Sequence, residues 1–170
     1  PRAAAFEQRL AAVVADPGVM QVWQSWANNM PPGAIEEFFT ATGAEQEQIG
    51  KELDDGLAEY AAHDPVLAFM VAFRTYPYGT TSLSNALLQA EAMDLTGVAK
   101  DIVMPILICD PEGELFWPGE SQQLYDAVSS TNKVLAKFTA AEGADLHCEP
   151  KAMGLRNQVV FDWLDDTLGR

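Results

Sequence analysis

At 170 residues the chain has the size of one ordinary domain, or of one large piece of a bigger one. Apolar residues make up 48%, enough for a packed core, and no window reaches the ~18 uninterrupted apolar residues of a membrane span. Ten Lys plus Arg against 25 Asp plus Glu leave a net charge of −15, a field that makes nucleic acid and membrane surfaces poor partners. Two cysteines, Cys109 and Cys148, are too few for a disulfide framework and favour a reducing cytoplasm. The opening Arg2-Ala3-Ala4-Ala5-Phe6-Glu7 is charged too soon for a signal peptide.

In chain order, residues 1–9 read as the tail of a helix, with Phe6 and Leu10 one turn apart. Residues 10–15 form a short apolar run closed by Asp16-Pro17-Gly18, so a strand is expected there. From residue 19 to 100 the character is helical. Ile49, Leu53, Leu57 and Tyr60 recur at helical spacing between Glu45, Glu47, Lys51, Glu52 and Asp55, the pattern of an amphipathic surface helix. Asp64-Pro65 is a cap followed by proline at the first helical position. The helix over 66–73 is apolar nearly all round, so burial is expected. Tyr76-Pro77-Tyr78-Gly79 breaks it, and 82–93 starts again with Leu83, Leu87 and Leu88 on one side. The aromatics Trp23, Trp26, Phe38 and Phe39 read as packing within this insertion, and the pairs Asp54-Asp55 and Asp165-Asp166 as solvated faces.

Residues 106–108 are a continuous apolar run rich in β-branched residues, which suits a strand inside a covered parallel sheet. They are closed by Asp110-Pro111-Glu112-Gly113. A helix over 122–128, a strand over 134–138, a loop over 139–150 and a closing helix marked by Leu155, Val159, Trp163 and Leu168 follow. Strand, helix, strand, helix in this order implies right-handed parallel crossovers. The expected division is an α/β core over 1–18 and 97–170 with a helical cap insertion over 19–96.

The chemistry gathers at strand ends. Asp110, Glu112 and Glu114 follow one strand and His147 follows the next, and in open α/β sheets ligands collect at the carboxyl ends of strands. An acid that orients a histidine is the supporting half of a nucleophilic triad. A capping or core role for His147 is the alternative. A Cys148–His147 pair is disfavoured because adjacent side chains seldom point together. A metal site from Cys109, Cys148, His147 and Glu114 needs both loops to converge, so neither metal nor cofactor is expected.

Residues 105–118, Pro-Ile-Leu-Ile-Cys-Asp-Pro-Glu-Gly-Glu-Leu-Phe-Trp-Pro, resemble the strand-and-acid segment of the α/β-hydrolases, and Gly143-Ala144-Asp145-Leu146-His147 resembles their histidine loop. Bacterial serine hydrolases related to dipeptidyl aminopeptidases and to dihydroxypseudooxynicotine hydrolase are the most similar in feel. The resemblance implies a partial α/β-hydrolase fold, a small-molecule acyl substrate, His147 as general base and Glu114 as its acid. Departures are Glu114 where aspartate is usual and Pro111 where glycine is usual; Asp110 and then Asp16 are the other choices of acid. No Gly-x-Ser-x-Gly elbow occurs anywhere, so the chain looks like the C-terminal half of such an enzyme, inactive alone. It is then expected to self-associate or to bind the missing half. The rival expectation is a non-catalytic α/β interaction module or dimer.

Overall fold

Residues 106–111 can form a strand covered on both faces because their side chains alternate between two apolar layers. In the computed structural model, which describes residues 1–28 and 33–170, this is β2 (Ile106–Pro111). It lies between β1 (Val13–Ala15) and β3 (Lys133–Phe138) in a parallel sheet of order β1-β2-β3. Register pairs Val13 with Ile106 on one side, and Ile106 with Lys133 through Pro111 with Phe138 on the other. The described chain divides into two units, Pro1–Val22 with Asp94–Arg170, and Trp23–Met93.

In the first unit, Ile106 and Ile108 point into a core with Ala15, Met20, Leu95, Ile102, Leu124 and Val128. Cys109 points to the opposite layer with Phe138 and Ala144, covered by Leu155, Val159 and Val160. Those two layers belong to α6 (Glu120–Ala127) and α7 (Met153–Leu168) respectively. Each fully buried aliphatic side chain contributes about 1.5–3 kcal/mol, and β2 supplies such side chains to both layers. β3 is only half covered; Lys133 reaches back to the end of α6, donating to Tyr125 O (2.7 Å) and Val128 O (3.1 Å). The strand expected over 10–15 begins at Val13, because Pro105, just before β2, has no N–H and the first bond between the two segments is Val13 N–H to Pro105 O, 2.9 Å. The helix tail expected over 1–9 shrinks to a 3-10 turn at Arg2–Ala5, with Phe6 exposed.

The second unit holds α1 (Gln24–Ala27), α2 (Ala34–Thr40), α3 (Ala44–Ala61), α4 (Pro65–Thr75) and α5 (Leu83–Glu91). Its core is Trp26, Ile35, Phe38, Leu83, Ala86 and Leu87, with Ile49, Leu53 and Leu57 of α3 packed against it. Trp23 meets Phe39 edge-on at 5.0 Å, the packing expected of these aromatics. Asp64 caps α4 as read from the sequence, accepting from the N–H groups of Val66 (2.9 Å) and Leu67 (3.1 Å).

Three expectations fail here. α4 is not buried: Leu67 and Val71 face the unit, while Val66, Phe69 and Phe73 are each at least 67% exposed, since only one side of this helix has neighbours. Leu88 and Tyr60 likewise point outward. Asp54 is not a solvated acid; its Oδ2 accepts from the hydroxyls of Ser82 (2.7 Å) and Ser84 (2.8 Å) and its Oδ1 from Ser84 N–H (3.0 Å), fastening the start of α5 to α3. Asp55 is exposed and pairs with Lys51. No helix among the described residues is long and apolar enough to cross a membrane.

Candidate active site

The end of β2 feeds a tight loop whose three acids have separate tasks. Asp110 stands opposite Lys137 in the strand register and pairs with its ammonium. Glu112 Oε2 accepts from Ala140 N–H at 2.9 Å, closing the exit of β3 onto the exit of β2. Glu114 turns inward, and only 4% of its side chain is exposed. Its Oε1 accepts from Phe116 N–H (2.8 Å) and Trp117 N–H (3.2 Å), so the carboxylate shapes its own turn. Its Oε2 lies 2.8 Å from Nδ1 of His147.

The histidine loop reaches that carboxylate because two backbone approaches are permitted. Gly113 N–H donates to Asp145 O at 2.8 Å, and a Cβ at Gly113 would sit 3.0 Å from the same oxygen. A side chain at this position would therefore crowd the contact between the two loops. The loop begins with a capping box, Thr139 with Glu142, whose carboxylate accepts from Thr139 N–H at 3.1 Å. Its far end is contorted: Cys148 and Glu149, the residues right after His147, have φ of 56° and 44°. Non-glycine residues in that region cost about 1–2 kcal/mol each, so neighbouring contacts must hold them there.

The imidazole is clasped on its flanks. Phe116 meets it edge-on at 4.9 Å, and Trp117 lies tilted at 5.6 Å. Trp117 is itself fixed, its indole N–H donating to Gln21 O (3.1 Å) and Val22 O (3.3 Å). Glu120 holds that acceptor segment, its Oε2 accepting from Met20 N–H (2.6 Å) and Gln21 N–H (3.0 Å). Burial pushes the Glu120 carboxyl upward, against the pull of those two donors. About a third of the His147 side chain remains exposed, and its Nε2 has no hydrogen-bond partner among the described residues. A histidine with Nδ1 held by a buried carboxylate and Nε2 open has the geometry of a general base.

The remaining candidates have other partners or are buried. Asp110 is occupied by Lys137, and Asp16 Oδ2 by Arg156 Nη1 at 3.3 Å. Cys109 is fully buried, its thiol pushed far up by burial, and Cys148 is pushed up to about 11 by burial and then by Asp16 and Glu149. Neither is an activated thiol. Among the described residues no cluster of three His, Cys, Asp or Glu is arranged to hold a metal. Ser121, the one serine preceded at two residues by glycine on a helix start, is 2% exposed; its Oγ donates to Cys109 O (2.9 Å) and accepts from Gly18 N–H (3.1 Å).

The sequence reading missed Phe116, Trp117, Glu120 and Glu149. Glu120 had a visible signal, an acid at a helix start after Gly119, whereas the aromatics' contact with His147 needs the tertiary fold.

No protein-family model and no curated protein matches this sequence. Among solved structures, the chain is similar to the monoacylglycerol lipase of Paleococcus ferrophilus, with a TM-score of 0.52 and 13% identity, over 98% of this chain and 63% of that one. It is also similar to an α/β-hydrolase enzyme from a Medee basin deep-sea metagenome library, at TM-score 0.48 and 16% identity over 99% of this chain and 60% of that one. A third is the enol-lactonase of Burkholderia xenovorans, at TM-score 0.45 and 17% identity over 98% and 60%. The chain thus has part of the α/β-hydrolase fold and spans under two thirds of the length of these structures.

Proposed function

We propose that this chain carries the acid–histidine half of a serine α/β-hydrolase acting on an ester, amide or related acyl bond. The observation that supports it is the 2.8 Å contact between His147 Nδ1 and the buried Glu114 carboxylate, with Nε2 left open. In this reading a serine hydroxyl attacks the acyl carbon while Nε2 takes its proton. The imidazolium so formed is stabilised by Glu114 and returns the proton to the leaving group; water then repeats the cycle to release the acid. The finer kinship with the dipeptidyl aminopeptidase-like and dihydroxypseudooxynicotine hydrolase-like enzymes rests on the motifs of residues 105–118 and 143–147.

The sequence has no Gly-x-Ser-x-Gly, so the nucleophile comes from elsewhere. The edge of β1 away from β2 pairs with no strand among the described residues, and it is where the serine-bearing half would add its sheet. Two measurements test the reading. Nitrogen-15 NMR of the neutral imidazole should show the proton on Nδ1, shifted by Glu114→Gln; a proton on Nε2 would overturn it. Hydrolysis of p-nitrophenyl acetate by the chain should equal that of His147→Ala; turnover lost in the variant would place a nucleophile inside this chain.

A second reading, a self-associating module, is supported by a separate observation. α4 presents Val66, Phe69, Met70 and Phe73, with Tyr76 just beyond, all about half exposed or more, and Phe69 stacks on Phe73 at 6.1 Å. Between Asp64 and Glu91 the sequence has no acid, in a chain of net charge −15, so this face is where a second copy meets least repulsion. The five side chains offer on the order of 500 Å² per copy, below the ~800 Å² of a stable interface, which fits a weak dimer. Sedimentation should show concentration-dependent dimers that Phe69→Ser with Phe73→Ser abolishes; a strict monomer would remove this reading.

A further inference from the structure

Behind the histidine lies a second pair of carboxyl groups that the proposed reaction does not use. Glu149 is 0% exposed, and both its oxygens lack a hydrogen-bond partner. Asp16, at the exit of β1, has one oxygen on Arg156 and the other, Oδ1, buried and equally unpartnered. As two carboxylates the pair has only acceptors, so neither can satisfy the other, and buried polar atoms left in that state are costly. A single proton changes the count, because one acid then becomes a donor to its neighbour.

We infer that Asp16 and Glu149 share one proton, Glu149 donating to Asp16 Oδ1, and that this pair is the clamp that positions the loop carrying His147. The chain geometry supports it. Glu149 lies two residues after His147, and both Cys148 and Glu149 are held in left-handed backbone that other contacts must stabilise. The surrounding bonds converge on the same point. Arg156 Nη1 donates to Asp16 Oδ2 at 3.3 Å and to Cys148 O at 3.2 Å, Cys148 Sγ lies 3.5 Å from Asp16 O, and Glu149 N–H donates to Leu146 O at 2.8 Å. Asp16 and Glu149 are thus positioning residues, acting on His147 through the loop. Only that consequence rests on the hydrolase reading; the shared proton does not.

The groups facing Glu149 are Asp16 from the β1 exit, Arg156 from α7, Glu114 from the acid loop, and the two thiols, Cys109 on β2 and Cys148 beside it. Burial first, and then the negative charge of Asp16, push the Glu149 carboxyl up to about 8, while Arg156 pulls the other way. Its folded value lies above its ordinary value, so the stabilisation is full below the unfolded carboxylate range. It is lost as pH rises towards 8. Above that, two carboxylates share one guanidinium and the clamp opens.

Carbon-13 NMR of Asp- and Glu-labelled protein should show one carboxyl titrating near 8, absent in Glu149→Gln and returned towards the ordinary range in Asp16→Asn. The downfield Nδ1–H signal of His147 and the exchange protection of the Cys148 and Glu149 amides should fade between pH 6 and 9 in the natural chain but persist in Glu149→Gln, whose amide supplies the donor at every pH. Should Glu149→Gln not fold, the titration of the natural chain and of Asp16→Asn decides alone. The clamp is refuted if no carboxyl titrates above about pH 6, or if the His147 signal ignores a titration that does occur. The carboxyl titration and the amide protection need neither a serine nor a proton on Nδ1, so a failure there leaves the hydrolase reading standing, and a proton on Nε2 leaves the shared proton standing.

Discussion

Replacing Glu114 separates the two things its carboxylate does. Glu114→Ala removes the acceptor of two backbone N–H groups, those of Phe116 and Trp117, and the partner of His147 Nδ1. Losing the acceptor of a partly buried N–H costs about 1–2 kcal/mol, and an ionic hydrogen bond contributes about 1.5–3 kcal/mol. The sum for alanine is about 3–5 kcal/mol, allowing for partial rehydration of the turn. Glu114→Gln keeps an oxygen for the two N–H groups and loses only the charge facing the imidazole, so its cost is about 1–2 kcal/mol. Because the chain has two units, a single melting curve mixes their transitions. Amide exchange at Leu107 and Ile108, in the middle of β2, reports the first unit alone. Alanine should lower that opening free energy by at least about 1 kcal/mol more than glutamine does. Equal losses would show that the charge, not the accepting geometry, holds the turn; an alanine loss under about 1 kcal/mol would show that the turn stands without it.

Gly18→Ala should destabilise by about 1–3 kcal/mol or more, since its Cβ would lie 2.6 Å from Ile108 Cγ2 and 2.7 Å from the backbone of Ser121; urea titration checks it, and an unchanged midpoint would deny the close approach. Asp54→Ala, which strips three hydrogen bonds from the start of α5, should cost about 1–3 kcal/mol in the second unit, and protease susceptibility near Ser82 should rise. Both thiols should react with an aromatic disulfide reagent at pH 8 on the order of 100-fold more slowly than a free thiol, and promptly in denaturant; fast native labelling of Cys148 would restore it as a candidate nucleophile.

What was legible in the sequence follows the kind of force involved. β2 and the start of α4 were readable because their determinants are local: the apolar run Ile106-Leu107-Ile108, which the strand extends through Asp110-Pro111 where a turn was expected, and the Asp64-Pro65 cap. The burial of α4 was misread because an all-apolar helix states what it can bury, and neighbours decide what it does bury. Asp54 was misread for a related reason. Its three donors come from a helix 28 to 30 residues away, and no local pattern announces them.

The acid–histidine contact sits between these cases. Strand order alone places Glu114 and His147 at one end of neighbouring parallel strands, but Asp110 and Glu112 stand at the same end. Their separation is decided by pleat and turn. Asp110 is still on β2 and must pair across the ladder with Lys137, and Glu112 is drawn to the backbone of Ala140. Glu114 is the first acid whose own turn folds back, because Gly113 lets the loop approach Asp145 and Oε1 is tied to the two amides that follow. Glu149 shows the opposite limit. In the sequence it is one more acid among 25, next to a proline and giving no periodic signal. Only burial beside Asp16 turns it into a group whose protonation state matters to the loop that carries His147.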